Sequence, residues 1–328
     1  MILLLGASGY IGRTFASELR RRGHSFIPLT RGAFDYTRFD FLFDYLRTMR
    51  PFFLINAASY NGAGDPNADG EREKLMAANA ILPQMIARVC LMTKTPWGHV
   101  SSGSIYTGAK VIQNEQFVVQ KDLSQPEMLD LFEKHPKRFC GFSELDEPNF
   151  SFRTFPCNFY SGTKALAEEA ISDMGHSYIW RLRLPFNDQD DPCNWLRRLR
   201  HETEVHDNIN SFSHLEDCVK ACLDLWQLRA PYGIYNVTNP GAMTTRQIAD
   251  EMHRVLKIKP AVLSGTAGDA ARLPESNCIL DVSKLLKAGI KLRPVTEAFD
   301  DCLDRLRLAS RNTRGFESVG RNLPAPSL

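Results

Sequence analysis

The chain has 328 residues, 43% hydrophobic and 24% charged, with a formal net charge of +2. This is an ordinary globular mix, long enough for one large domain or two modest ones. The near balance of charge argues against nucleic acid or an anionic membrane as the main partner. Eight cysteines are scattered at 90, 140, 157, 193, 218, 222, 278 and 302, with no Cys-x-x-Cys pair. They point to reduced thiols in a cytoplasmic protein, with neither a disulfide frame nor a metal site expected. The opening Met1 to Gly6 is too short for a signal segment, and no window reaches the length expected of a membrane span.

Ile2 to Leu5 is a continuous apolar run, the pattern of a parallel strand buried on both faces. Gly6-Ala7-Ser8-Gly9-Tyr10-Ile11-Gly12 follows, then a helix over 13–22 and a second strand over 25–30. Glycines at this spacing between a strand and a helix let the backbone approach a pyrophosphate, which then rests on the helix N-terminal amides. Gly6, Ser8, Gly9, Tyr10, Ile11 and Gly12 are therefore candidate cofactor residues. The second strand ends in Thr30-Arg31 and carries no acid. A base there suits the 2′-phosphate of NADP(H), with NAD(H) possible.

A helix is predicted over 39–49 and a strand over 52–56, after which Ala57-Ala58-Ser59 offers small residues where the chain passes a cofactor. A long helix over 74–93 and a strand ending at His99-Val100-Ser101-Ser102 continue the alternation. Together these predict an α/β fold, a Rossmann-type doubly wound parallel sheet, with ligands at the carboxyl ends of its strands. Residues 107–150 are polar and break the pattern, reading as an insertion or lid with one helix over 125–134.

Tyr160-Ser161-Gly162-Thr163-Lys164 begins the next helix. Residues four apart on a helix share a face. A phenol is a weak acid at neutral pH, and a nearby ammonium is expected to lower its pKa and suit it to proton transfer. A strand over 178–184 ends at Pro185, and helices are expected over 217–228, 245–256, 280–288 and 295–308, with a strand over 234–237. The organisation expected is an NADP(H)-binding domain over 1–184, a smaller C-terminal α/β substrate-binding region over 185–309 interwoven with it, and a flexible tail over 310–328.

The glycine turn, Asn56-Ala57-Ala58, Ser101-Ser102-Gly103-Ser104-Ile105-Tyr106 and Tyr160-x-x-x-Lys164 lie in one order. This combination resembles the extended short-chain dehydrogenase/reductase family over about residues 1–308. The resemblance implies a catalytic set of Ser102, Tyr160 and Lys164, places Asn79 where the family has an Asn, and implies dimers formed through the helices at 74–93 and 160–174. Ser102 and Tyr160 stand 58 positions apart, about twice the family's usual spacing, and residues 107–150 account for the excess. Asp146-Glu147-Pro148-Asn149-Phe150, Arg181-Leu182-Arg183-Leu184-Pro185, Asn236 to Gly241 and Ser276-Asn277 resemble the reductase half of plant rhamnose synthases. Phe34-Asp35-Tyr36-Thr37 and Asn56 to Tyr60 resemble the dTDP-4-dehydrorhamnose reductases.

These resemblances imply an NADPH-dependent reductase of a nucleotide-activated 4-keto-6-deoxy sugar. Asp35, Tyr36, Ala57, Ala58 and Ser59 would join the cofactor site. Ser104, Asn79, Asn187, Asn194 and Arg198 would join the substrate site. Ser104 and Arg198 stand where the plant enzymes carry an epimerising Cys and Lys; a hydroxyl and a guanidinium are poor replacements, so reduction is expected and 3,5-epimerisation is not. Arg181, Arg183, Arg197 and Arg198 could meet a sugar diphosphate, and Cys157 is expected to pack. Two alternatives stay open: an NAD-dependent sugar-nucleotide epimerase or dehydratase, and a non-catalytic NADP(H)-binding sensor.

Overall fold

The computed structural model describes residues 1–62, 69–154, 156–201, 205–260, 262–263 and 275–320. Six strands form a parallel sheet: β1 (Ile2–Leu5), β2 (Phe26–Leu29), β3 (Phe53–Asn56), β4 (Trp97–Ser102), β8 (Ser177–Leu182) and β9 (Gly233–Asn236). Their order across the sheet is β2-β1-β3-β4-β8-β9, with Leu3 in register with Ile27 on one side and Leu54 on the other. The order reverses between β1 and β3, so the loops leaving these two strands part there and open a crevice.

The sheet is covered on both faces, as the apolar runs require. On one face, α1 (Tyr10–Arg21) and α7 (Leu215–Gln227) bury Phe15, Leu19, Leu215, Val219 and Leu223 against Ile2, Leu4, Phe53 and Trp180. On the other, α2 (Phe39–Met49), α3 (Glu71–Thr93) and α5 (Phe159–Ile171) bury Leu42, Leu46, Ile86, Val89 and Ile171 against Leu3, Leu54 and Ile179. α3 contains a π-helical turn at Ala77–Ile81. By length and mean hydropathy (1.5) α3 could cross a membrane, contrary to the sequence-based expectation, but half of that window is buried inside the protein, as in a core helix.

Residues 107–150 hold more structure than their polarity predicts. β5 (Ala109–Gln113) and β6 (Gln116–Gln120) form a hairpin, α4 (Pro126–Lys134) follows, and β7 (Phe139–Cys140) pairs back onto β5. Val111, Leu123, Phe132 and Phe139 close a small core of their own with Ile209 and Ile279. The insertion is thus fastened to the C-terminal half, also by bridges from Gly108 to Cys278 and from Phe142 to Leu280.

α6 (Trp195–His201), α8 (Thr245–Leu256) and α9 (Val295–Gly320) share a further core of Phe186, Leu196, Phe212, Ile248, Met252, Phe299 and Leu303. α9 runs past the predicted end at 308 and takes in the first part of the predicted tail; residues 321–328 lie outside the described residues. The predicted helix over 280–288 shrinks to Ser283–Lys287 because Leu280 is drawn into the bridge with Phe142.

Gly98 on β4 lies flat under the Trp180 indole, and a Cβ there would collide with the six-membered ring. Gly98→Ala is expected to cost about 1–3 kcal/mol by overpacking. Urea unfolding measures this, with the midpoint falling and the slope unchanged.

Candidate active site

The turn after β1 is built on two glycines. Gly6 has φ +72°, and a Cβ on it would lie 2.5 Å from the Ala58 amide nitrogen. A Cβ on Gly12 would collide with the Gly6 carbonyl. Both positions need glycine so that the turn can lie against Ala57-Ala58 and α1 can start close to it. Gly9 N donates to Gly6 O (3.0 Å), and Gly9 caps α1 with no side-chain acceptor. The first-turn amides of α1 are left for an outside acceptor, with Ser8 and Gly9 exposed beside them and Ile11 half-buried. The donor set suits a pyrophosphate.

The other predicted cofactor residues divide. Arg31 is exposed at the end of β2. Tyr36 is buried, and its hydroxyl meets the Gly6 backbone; burial pushes its phenol up, partly offset by Arg31. Asp35 spends its carboxylate on the Thr37 hydroxyl and amide, which hold it below the usual range. Tyr10 turns away from the turn and donates to Asn187 Oδ1 (2.7 Å).

Asn158 caps α5 by accepting from Ser161 N (2.8 Å), and Tyr160, Lys164 and Glu168 then fall on one helix stripe. The Tyr160 hydroxyl lies near the hydroxyls of Ser102 and Ser59, close enough for both to act on its ionisation. Ser102 leaves β4 as the cap of a short 3₁₀ turn, accepting from Ser104 N (3.2 Å). Lys164 is buried behind Tyr160, its Nζ 5.9 Å from the ring centroid and donating to Val100 O (3.4 Å).

The electrostatics correct one expectation. The Tyr160 phenol lies above its ordinary pKa, because burial outweighs the nearby Ser102 hydroxyl, the charge of Arg183 and the nearby Ser59 hydroxyl. Arg183 is the leading cation acting on it, not Lys164. Lys164 is itself pulled down to about 8 by burial, partly resisted by Glu168. Its position behind the ring, bonded to a strand carbonyl, explains why it does not dominate the phenol.

The predicted substrate residues also divide. Asn79, fully buried in the π turn, accepts from Ser59 Oγ (3.0 Å) and Tyr60 N (2.9 Å) and donates to Tyr60 O (2.7 Å). It therefore fixes the loop that presents Ser59 to Tyr160 and does not itself face the cleft. Asn187 and Asn194 are buried and bonded to one another, and Asn187 also meets Glu216 and Tyr10. They shape the 187–196 loop. Ser104 is buried beside Ser102 with no hydrogen-bond partner for its hydroxyl among the described residues. Arg198 is exposed on α6.

The four arginines separate cleanly. Arg181 is buried in a pair with Glu168 (2.7 Å) and so is unavailable to a diphosphate. Arg197 pairs with Asp190 (2.5 Å). Arg183 is 5% exposed and its hydrogen bonds go to neutral acceptors, Asn210 Oδ1 (2.6 Å) and Ser276 O (2.5 Å). Among the described residues no carboxylate pairs with this buried guanidinium, which makes it an attractor for an anion.

Several residues that support the site were not singled out from sequence. Glu168 accepts from Ser101 Oγ (2.5 Å) and from Arg181. His99, fully buried, accepts at Nδ1 from Asn56 Nδ2 (3.1 Å), whose Oδ1 accepts from Ala58 N (3.1 Å). Burial, then Lys164, keeps His99 well below its ordinary pKa and so neutral. Glu168 has one readable signal, its place two turns after Tyr160 on the same stripe; Asn56 opens the Asn56-Ala57-Ala58 motif, and His99 has no signal beyond lying in a strand.

A parallel sheet with a glycine turn at its reversal point, and Ser102, Tyr160 and Lys164 at the strand ends beside it, gives the chain a Rossmann-type α/β fold. Residues 1–129 match the RmlD substrate binding domain family. The chain is 24% identical over 304 residues to a trifunctional UDP-glucose 4,6-dehydratase/UDP-4-keto-6-deoxy-D-glucose 3,5-epimerase/UDP-4-keto-L-rhamnose-reductase of Arabidopsis thaliana, covering 90% of this chain and 40% of that protein. The chain thus spans about two fifths of the length of the first curated relatives it matches. The fold is that of the UDP-rhamnose synthase of Acanthamoeba polyphaga mimivirus (TM-score 0.76, 16% identity, 92% of this chain and 98% of that one). It is also that of a dTDP-4-dehydrorhamnose reductase of Bacillus anthracis in complex with NADP (TM-score 0.69, 18% identity, 94% and 98%).

The buried amine gives a direct test. Carbon-detected NMR titration of Lys164 is expected to show loss of its charge near pH 8 in the folded protein, against 10.5 for an ordinary lysine. With the folded pKa below the unfolded one, this group adds stability as pH rises from 8 to 10.5, and Lys164→Met should remove that increment. A midpoint near 10.5 would contradict the buried position.

Proposed function

We propose that the chain is an NADPH-dependent reductase of a nucleotide-activated 4-keto-6-deoxy sugar. The observation that carries this reading is the meeting of the Tyr160 and Ser102 hydroxyls at the strand ends, with Lys164 one turn behind and the glycine turn alongside. Gly6, Gly9, Gly12 and the first amides of α1 would hold the pyrophosphate, with Ala57, Ala58 and Ser59 along its side. Arg31, next to Tyr36, would meet the 2′-phosphate of NADP(H); NAD(H) lacks that phosphate and would bind less tightly. NADP in the Bacillus anthracis neighbour supports this choice.

Bound there, the cofactor supplies a hydride to the ketone carbon. The chain's own part is to orient the carbonyl and deliver the proton. Tyr160 donates its phenolic proton as negative charge grows on the oxygen, giving the alcohol. Its raised pKa keeps the phenol protonated at neutral pH, the form that reduction needs. Ser102 donates a hydrogen bond to the same oxygen, and the Arg183 charge steadies the phenolate that remains. Lys164 would hold the nicotinamide ribose hydroxyls. Arg183 is also the residue placed to attract the sugar-linked phosphate, which favours a nucleotide sugar over a plain ketone. Ser104 and Arg198 offer no thiol or amine for 3,5-epimerisation.

The eight free cysteines support a reducing compartment, hence the cytoplasm. Ile81, Leu91 and Met92 are 58–59% exposed on α3 and support a homodimer through the α3 and α5 faces.

NADPH oxidation is expected with UDP- or dTDP-4-keto-6-deoxy sugars, with weaker use of NADH. Tyr160→Phe should lower kcat by about 10²–10⁴. Arg183→Gln should both raise KM for the sugar nucleotide and lower kcat, while leaving NADPH affinity unchanged. No NADPH consumption with any nucleotide-linked 4-keto sugar would contradict the proposal.

A further inference from the structure

The insertion ends in an open strand edge. β6 is the outer strand of the sheet ordered β6-β5-β7. Its sequence, Gln116-Phe117-Val118-Val119-Gln120, holds no charge and no proline, and Phe117, Val118 and Val119 are 65%, 39% and 46% exposed. Soluble proteins usually guard such an edge with charge, proline or a bulge, because its free ladder groups capture another strand.

The hairpin geometry says which groups are free. Asn114 and Glu115 both have positive φ (48° and 64°) and form a two-residue turn closed by Gln113 and Gln116. In such a hairpin the closing pair is hydrogen-bonded and bonded pairs alternate from there. Gln116, Val118 and Gln120 therefore spend their N–H and C=O groups on β5. Phe117 and Val119 direct theirs outward, where no backbone partner is found among the described residues.

The sequence around Val118 has a twofold pattern. One step out stand Phe117 and Val119, two steps out Gln116 and Gln120, three steps out Glu115 and Lys121. An antiparallel copy centred on Val118 sets Phe117 against Val119, Gln116 against Gln120, and Glu115 level with Lys121. This register also brings the outward ladder groups of both strands face to face. Centring on Phe117 or Val119 would do so too, but would leave Glu115 and Lys121 without opposite charges. Glu115 and Lys121 are both exposed, and neither forms an ion pair within the described residues.

We propose that β6 is a self-association surface on which a second copy of this chain adds its own β6, antiparallel about Val118, making one continuous sheet across a twofold axis. The contact is isologous, like other strand additions between identical chains. It lies on the insertion and is independent of the α3 and α5 faces.

Two measurements on the full chain test it. Val118→Lys places like charges across the axis and is expected to halve the native mass by light scattering, with the circular dichroism of the fold unchanged because the side chain is exposed. Val118→Cys puts two thiols opposite each other at a non-hydrogen-bonded pair, within disulfide reach. It is expected to give a covalent pair under mild oxidation, while Gln116→Cys stays at the background set by native Cys193. An unchanged mass for Val118→Lys, or equal crosslinking of the two cysteine variants, overturns the proposal.

Discussion

The position of Tyr160 depends on a buried ion pair two turns along its helix. Glu168 of α5 is clamped between Ser101 of β4 and Arg181 of β8, and Arg181 reaches on to the Tyr106 hydroxyl (3.0 Å). Both charges are nearly removed from water, so losing one would strand the other at a cost of several kcal/mol, on the order of 3–5. The clamp fixes how α5 lies on β4. With Glu168 held there, the helix repeat carries Lys164 to the Val100 carbonyl and Tyr160 to Ser102. The same arginine that looked suited to a substrate phosphate thus acts as a strut, and chemistry one residue past the strand end passes to Arg183.

The electrostatics follow from that placement. Burial makes the phenol a weaker acid and the lysine a weaker base, so the resting site favours a neutral tyrosine. For ketone reduction this is the useful state, since the tyrosine must start with its proton. A phenolate formed there would be met by the Ser102 hydroxyl and the buried Arg183 guanidinium in a low-dielectric setting, where each counts for more than in water. Ser59 reaches the phenol only because Asn79, at the π turn of α3, holds its loop by three hydrogen bonds.

Much of the frame was legible in the sequence because it rests on local rules. The Ile2–Leu5 run, the glycine spacing and the four-residue interval of Tyr160 and Lys164 each express a backbone periodicity or a steric need. What was not legible depends on which side chains meet across the fold. Four arginines look alike in sequence; only packing decides that Arg181 and Arg197 are paired with acids and Arg183 is not. Asn187 and Asn194 look like ligands for a sugar, yet the loop uses them on itself. The hairpin at 109–120 is not legible in the sequence because Asn114-Glu115 lacks the glycine that usually marks such a turn, and because its outer strand does not alternate between polar and apolar residues.

The central claim is that Ser102 and Tyr160 converge on a carbonyl carbon that receives hydride from a dinucleotide held on the glycine turn. Product analysis by NMR after reaction with NADPH deuterated at the transferable C4 position tests this most directly. The account predicts one deuterium at the former ketone carbon of the sugar and none there when unlabelled NADPH is used in heavy water. A product that acquires its hydrogen at that carbon from solvent, or a labelled cofactor returned intact, would contradict it.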